Sequence, residues 1–261
     1  MTPKTCFPEL LVDKTIKFVK AREKETGGFG ATPLLPATVE DTYHAIRILE
    51  LIEQKTENKK LVPKNIKKHE EFLRQREHEV IKSARTMFQI AKSMNIIGIE
   101  PNKKILFPFL EKRLSQNIPL EEVYYCARIY DEILNKTFLC PSWIKDIKRW
   151  RTAKQLWMLI YSIGKKDISK KAYQEYIRWF QECQNYDGGF GFMPGTTSYI
   201  ENTHLCLRAL SWLNASPKDR LGARGFILAC TTVRGGFSRI QGAAPFLDAT
   251  WHGIAALSYT C

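Results

Sequence analysis

The chain has 261 residues, 44% of them hydrophobic, which is ample for a sizeable core. Forty Lys and Arg stand against 27 Asp and Glu, a formal charge of +13. That balance favours anionic partners such as phosphates, or a solvated lysine-rich surface. It comes with no P-loop, no dinucleotide fingerprint and no nucleic-acid module. No apolar run approaches the ~20 residues of a membrane span, and the opening stretch MTPKTCFPELLVDK lacks the apolar core of a secretory leader. Seven cysteines are scattered without a CxxC pair. They read as reduced thiols of a cytoplasmic protein.

The periodicity predicts helices almost throughout. The first spans Pro8 to Glu23, followed by Gly27-Gly28-Phe29. The second spans Thr38 to Glu53, with Thr38 as N-cap. A basic amphipathic helix follows from Pro63 to Arg76, another from His78 to Met94. Pro101 opens a helix to Leu114 and Pro119 one to Leu134, proline being acceptable in a first turn. A short helix around Trp143 to Ile147 precedes one from Trp150 to Ile163. Tyr173, Tyr176, Ile177, Phe180 and Cys183 form an apolar row that stops at Gly188-Gly189. A new row begins at Ile200 and continues through Thr203, Leu207 and Leu210. Helices at Pro217 to Cys230 and Phe246 to Tyr259 complete the chain.

Three stretches repeat one another. After Phe29, Phe190 and Phe237, each preceded by two glycines, an acid stands at +11 (Glu40, Glu201, Asp248) and a threonine at +13 (Thr42, Thr203, Thr250). A middle copy without the glycines is visible at Glu121 to Arg128. Twelve helices in six pairs, repeating every forty to fifty residues, predict an all-α fold of stacked hairpins. Six inner and six outer helices closing into a ring, an α/α6 toroid occupying residues 1–261 as one domain, is the expected architecture. An open array of helical pairs is the alternative.

These motifs resemble the repeats of protein prenyltransferase β subunits and the squalene cyclases. GGFG followed by a Gly/Pro turn, then acid-x-Thr-aromatic, carries the resemblance, together with the segment Trp251 to Ser258. It covers the first sixty and the last ninety residues well, and the middle by pattern only. The resemblance implies the toroid, a helical partner subunit, and an isoprenoid or isoprenyl diphosphate in an aromatic-lined barrel. It also implies that His252 is a zinc ligand. The positions matching the other two ligands are Glu201 and Thr203, and threonine is a poor ligand, so the zinc set is incomplete. Glu201, Cys206 and His252 are the remaining zinc candidates, and zinc is an open question. Loss of metal is the preferred reading.

The expected chemical groups are His252, Asp248, Glu201 and His204. Asp248 lies four residues before His252 and is expected to orient it. Both also serve as first-turn and core residues of an ordinary helix. The expected substrate contacts are Tyr43, His44, Tyr199, Arg208, Arg239 and Trp251. Inner-helix aromatics (Tyr43, Tyr124, Tyr125, Trp150, Trp157, Tyr199, Trp212, Trp251) suit an isoprenoid chain, or simply fill the centre. No DxDD acid of the terpene cyclases occurs. The function expected is a prenyltransferase-like, isoprenyl-diphosphate-binding toroid. A cyclase with a buried carboxylic acid and a non-catalytic interaction toroid are the alternatives.

Overall fold

A computed structural model describes residues 7–64, 66–79, 81, 83–115, 118–147 and 149–261. Twelve α-helices run through the described residues. They are α1 (Glu9–Lys20), α2 (Val39–Lys55), α3 (Lys67–His78), α4 (Ala84–Ile96), α5 (Lys103–Leu114) and α6 (Leu120–Glu132). The second half holds α7 (Ser142–Lys145), α8 (Ala153–Ile163), α9 (Lys170–Glu182), α10 (Ile200–Trp212), α11 (Arg220–Ala229) and α12 (Leu247–Ser258). Antiparallel two-residue strands, Phe29–Gly30 with Ala37–Thr38 and Phe237–Ser238 with Pro245–Phe246, clasp the first and last glycine turns.

The expected elements all form, and some of their starts move. Side-chain caps set three of these starts. Ser83 accepts from the backbone N–H of Thr86, so α4 begins at Ala84 instead of His78. Thr152 does the same for Gln155, which leaves Trp150 outside α8. Asn102 accepts from Lys104 and starts α5 after Pro101. Pro63 does not open α3, which begins at Lys67. Thr38 caps α2 as expected, at 3.0 Å from the Asp41 N–H.

The chain divides into two compact units. One comprises Val19–Ile144. Its even-numbered helices pack in sequence, α2 on α4 and α4 on α6. The other comprises the N-terminal residues through Phe18 and Lys145–Cys261, in which α10 packs between α8 and α12. Even-numbered helices carry most of the buried residues: α2 buries eight residues and α12 nine, whereas α9 buries only Phe180. A helix enclosed on most sides is an inner helix, and one with a single covered stripe is an outer one.

The repeated residues now have a shared physical role. The three phenylalanines are fully buried. The threonine at +13 accepts a hydrogen bond from the backbone N–H of its phenylalanine in every copy: Phe29 to Thr42 at 2.9 Å, Phe190 to Thr203 at 3.0 Å, Phe237 to Thr250 at 3.0 Å. An otherwise orphaned buried amide is thereby satisfied. The first glycine of each turn lies against backbone of another outer helix. At Gly188 (φ +85°), an added Cβ would fall 2.1 Å from the Gly222 carbonyl in α11. The same approach joins Gly27 to Lys68 in α3 and Gly235 to Lys14 in α1. The last contact brings the final turn of the chain onto its first helix.

His69 in α3 is a fold residue that the basic helical pattern concealed. Its Nδ1 accepts from the Gly28 N–H at 2.9 Å, its Nε2 lies 3.1 Å from Glu23, and its ring stacks on Phe29. Burial pushes its pKa below the usual 6.5, against the pull of Glu23. A depressed value means that the folded state resists a proton the unfolded chain accepts. Stability is therefore fully present above pH 6.5 and falls as pH drops through the folded pKa. His69→Asn keeps an acceptor and removes the titration. Urea unfolding between pH 7 and 5 is expected to show wild type losing stability faster than the variant, by up to about 1.4 kcal/mol per pH unit, the one-proton limit. Parallel profiles would show that His69 is not the responsible group.

Candidate functional site

The residues expected to carry chemistry gather at the N-terminal halves of α10 and α12. His204, in the second turn of α10, and His252, in the second turn of α12, place their Nδ1 atoms 2.8 Å apart. One ring donates and the other accepts, so the two tautomers are complementary. His204 is buried, edge-on to Trp251 at 5.8 Å between ring centroids and stacked with Tyr259 at 6.0 Å. His252 is half-buried. Tyr259 is a member of this cluster that the sequence did not single out. It stands seven residues past His252, a helical spacing that could have flagged it.

A second cluster adjoins the helix starts. Arg239 reaches Glu201 through Nε at 3.1 Å and Asp248 through Nη2 at 2.9 Å. The recurrent acids at +11 of two successive repeats are thus joined by one guanidinium. The first repeat uses a different arginine, Arg85, for its own acid, Glu40. Burial raises the Glu201 pKa, and Asp248 adds to the effect while Arg239 opposes it. Asp248 also accepts from the Ala249 N–H at 2.8 Å. Its carboxylate therefore serves the guanidinium and the helix start.

Zinc does not fit this arrangement. Among the described residues no three His, Cys, Asp or Glu side chains converge as a metal site. Three physical reasons follow from the contacts. Glu201 and Asp248 are both engaged by Arg239. Cys206 is fully buried and its thiol meets Cys183 at the end of α9; burial and that contact push its pKa well above the ordinary thiol value. A thiol must lose its proton to ligate. Thr203 is occupied as the acceptor for Phe190.

The expected substrate contacts belong to several elements of the two units. Tyr199 precedes α10 and is 40% exposed. Arg208 lies over the Trp157 ring at 5.1 Å. Trp251 packs on His204. Tyr43 and His44 lie in the other unit, where Tyr43 meets Phe88 edge-on at 5.9 Å. That unit holds a buried aromatic and cationic core: the Arg128 guanidinium sits 3.9 Å over Phe88, and Tyr125 contacts both Phe88 and Tyr124. Trp150 leaves the inner set, because it packs edge-on against Tyr176 and Trp179 of outer helix α9. Arg128 pairs with Glu132 at 2.6 Å and Arg47 with Glu50 at 2.9 Å.

Of the described cysteines, Cys126, Cys140, Cys183, Cys206 and Cys230 stand outside any disulfide, whereas Cys261 is disulfide-bonded. The expectation of a wholly reduced set does not hold for Cys261. None of the helices among the described residues is long and apolar enough to cross a membrane.

The sequence profile described as the prenyltransferase alpha-alpha toroid domain matches residues 4–89, 124–224 and 218–261. Among solved structures, the protein geranylgeranyltransferase-I of Candida albicans complexed with GGPP aligns with 97% of this chain and 92% of its own, at 12% identity and a TM-score of 0.39. A comparison with curated proteins finds no match.

Proposed function

Because the chain belongs to the prenyltransferase alpha-alpha toroid family, we propose that residues 1–261 act as one toroid that binds an isoprenyl diphosphate and transfers its prenyl group without zinc. The observation that carries the metal-free route is the His204–His252 pair, Nδ1 to Nδ1 at 2.8 Å. In this reading His252, the less buried ring, donates from Nδ1 and accepts at Nε2. It takes the proton of an acceptor thiol or hydroxyl as that atom bonds to C1 of the prenyl group. The C1–O bond breaks and diphosphate leaves with the electron pair. His204, fixed between Trp251 and Tyr259, orients His252 through the shared hydrogen bond. Tyr199 and Trp251 line the isoprenoid path, and Arg208 with Arg239 holds the diphosphate. A helical partner subunit and a cytoplasmic location belong to the same reading.

Glu201 as a cyclase acid is disfavoured, since its carboxylate is matched by Arg239. An interaction toroid without chemistry is the second reading. The Glu201–Arg239–Asp248 lock favours it, because it leaves that guanidinium engaged by two carboxylates.

The test combines zinc analysis of protein purified without chelator, calorimetric titration with farnesyl and geranylgeranyl diphosphates, and a thiol prenylation assay. We expect no stoichiometric zinc, saturable binding of one diphosphate, and transfer that falls about 100-fold or more in His252→Ala with binding retained, the usual contribution of a general base. Near-stoichiometric zinc that is lost in His252→Ala would overturn the metal-free route. Absence of diphosphate binding would leave the interaction toroid.

A further inference from the structure

A recess of about 630 Å³ lies where the end of α1 meets the segment that joins α2 to α3. Lys20, Lys59, Lys60 and Lys64 surround it, and Leu61, Val62, Pro63 and Ile66 supply apolar wall. Two acids, Glu23 and Glu53, also line it. Both are already engaged. Glu23 meets Lys68 at 2.7 Å and His69 at 3.1 Å; burial alone would raise its pKa, but these two contacts more than offset that and hold it below the usual carboxylate value. Glu53 Oε1 accepts the backbone N–H groups of Leu61 and Val62, which pins the segment against α2. Lys59 caps the end of α2, donating to the carbonyls of Glu53 and Thr56.

The remaining three cations are unmatched. Among the described residues, Lys20, Lys60 and Lys64 form no ion pair, although lysines elsewhere in the chain do, as Lys92–Glu132 and Lys145–Asp167 show. Lys60 adopts φ +58°, a conformation rare for a side-chain-bearing residue, within the segment that Glu53 anchors. Cations held around a recess of small-molecule volume, with no carboxylate left to neutralise them, define an anion site. Three unmatched charges suit a ligand with at least two linked phosphates, and the apolar wall suits an organic group attached to them.

We propose that this lysine-ringed recess binds a small organic ligand bearing a di- or triphosphate group, through residues other than the histidine pair. Lys20, Lys60 and Lys64 take the phosphates, and Leu61, Val62, Pro63 and Ile66 take the organic part.

The test uses calorimetric titration of the full chain with inorganic tripolyphosphate and with ATP at 0.15 M salt, beside sedimentation with vesicles carrying a phosphorylated inositol headgroup. Three proteins are compared: wild type, K60E/K64E, and K104E/K112E. The last carries the same change in net charge on exposed lysines outside the recess. Thermal unfolding confirms that all three fold. Expected is saturable binding to wild type and to K104E/K112E, weakened at least tenfold in K60E/K64E. Tighter binding of soluble phosphates than of vesicles assigns a soluble ligand, and the reverse order assigns a lipid headgroup. Equal weakening in both variants, or no saturable binding of any probe, overturns the proposal, since either means that only net charge is acting.

Discussion

Gly188→Ala is expected to destabilise the protein by at least about 4 kcal/mol, enough to unfold many single domains. Two effects add. The left-handed conformation at φ +85° disfavours an L side chain by about 1–2 kcal/mol. The larger effect is contact. The new Cβ would sit 2.1 Å from both the carbonyl carbon and oxygen of Gly222, which are backbone atoms of α11 that cannot rotate aside. Either α11 or the turn must move, and the turn carries fully buried Phe190 and its hydrogen bond to Thr203. Gly164→Ala is the control. Gly164 has φ +86°, yet a Cβ there meets nothing within 4 Å. With ψ at 145° it lies outside the left-handed helical well, and its loss should stay within the conformational cost of about 1–3 kcal/mol. Urea denaturation of both variants separates the effects, and equal losses would mean that helix approach is not what demands glycine in the turn.

Arg128→Met is expected to cost about 3 kcal/mol, the low end for removing one member of a buried ion pair. Arg128 is only 5% exposed. Burial opposes its charge, but Glu132, with Tyr124 and Tyr43, more than offsets this and pushes its pKa further above the ordinary value. Methionine fills much of the volume over Phe88, and Lys92 remains 3.3 Å from Glu132, which keeps the loss from reaching the upper end. Glu132→Gln in the Arg128→Met background should recover part of the loss, because the carboxylate left with half its cations is gone while Lys92 loses that partner. Additive losses in the double variant would show instead that the arginine acts through its packing on Phe88 and Tyr124.

Much of the architecture was legible in the residues. Helix number and order followed from 3.6-residue apolar periodicity, a local property of the chain. The repeat followed from spacing alone, because Thr42, Thr203 and Thr250 answer the same backbone amide one hydrogen bond away. Helix starts were read less well where the true cap was passed over, as at Ser83 and Thr152, or where a proline was taken for the opening, as at Pro63. A side-chain hydrogen bond to the second or third amide fixes the start, and proline merely tolerates that position.

The site was legible as a set of residues and illegible as a set of partners. The sequence by itself put acids at +11, histidines in the second turns of α10 and α12, and arginines nearby, since these positions are local to one helix or turn. Only tertiary structure decided that Arg239 takes both Glu201 and Asp248, that His252 meets His204 rather than a metal set, and that Cys206 faces Cys183. Each of these pairings joins residues from separate elements, 38, 48 and 23 positions apart in the case of Arg239 with Glu201, His252 with His204, and Cys206 with Cys183. Helical periodicity says which way a side chain points from its own axis. What it meets depends on how neighbouring helices pack, and packing is settled by the whole core at once.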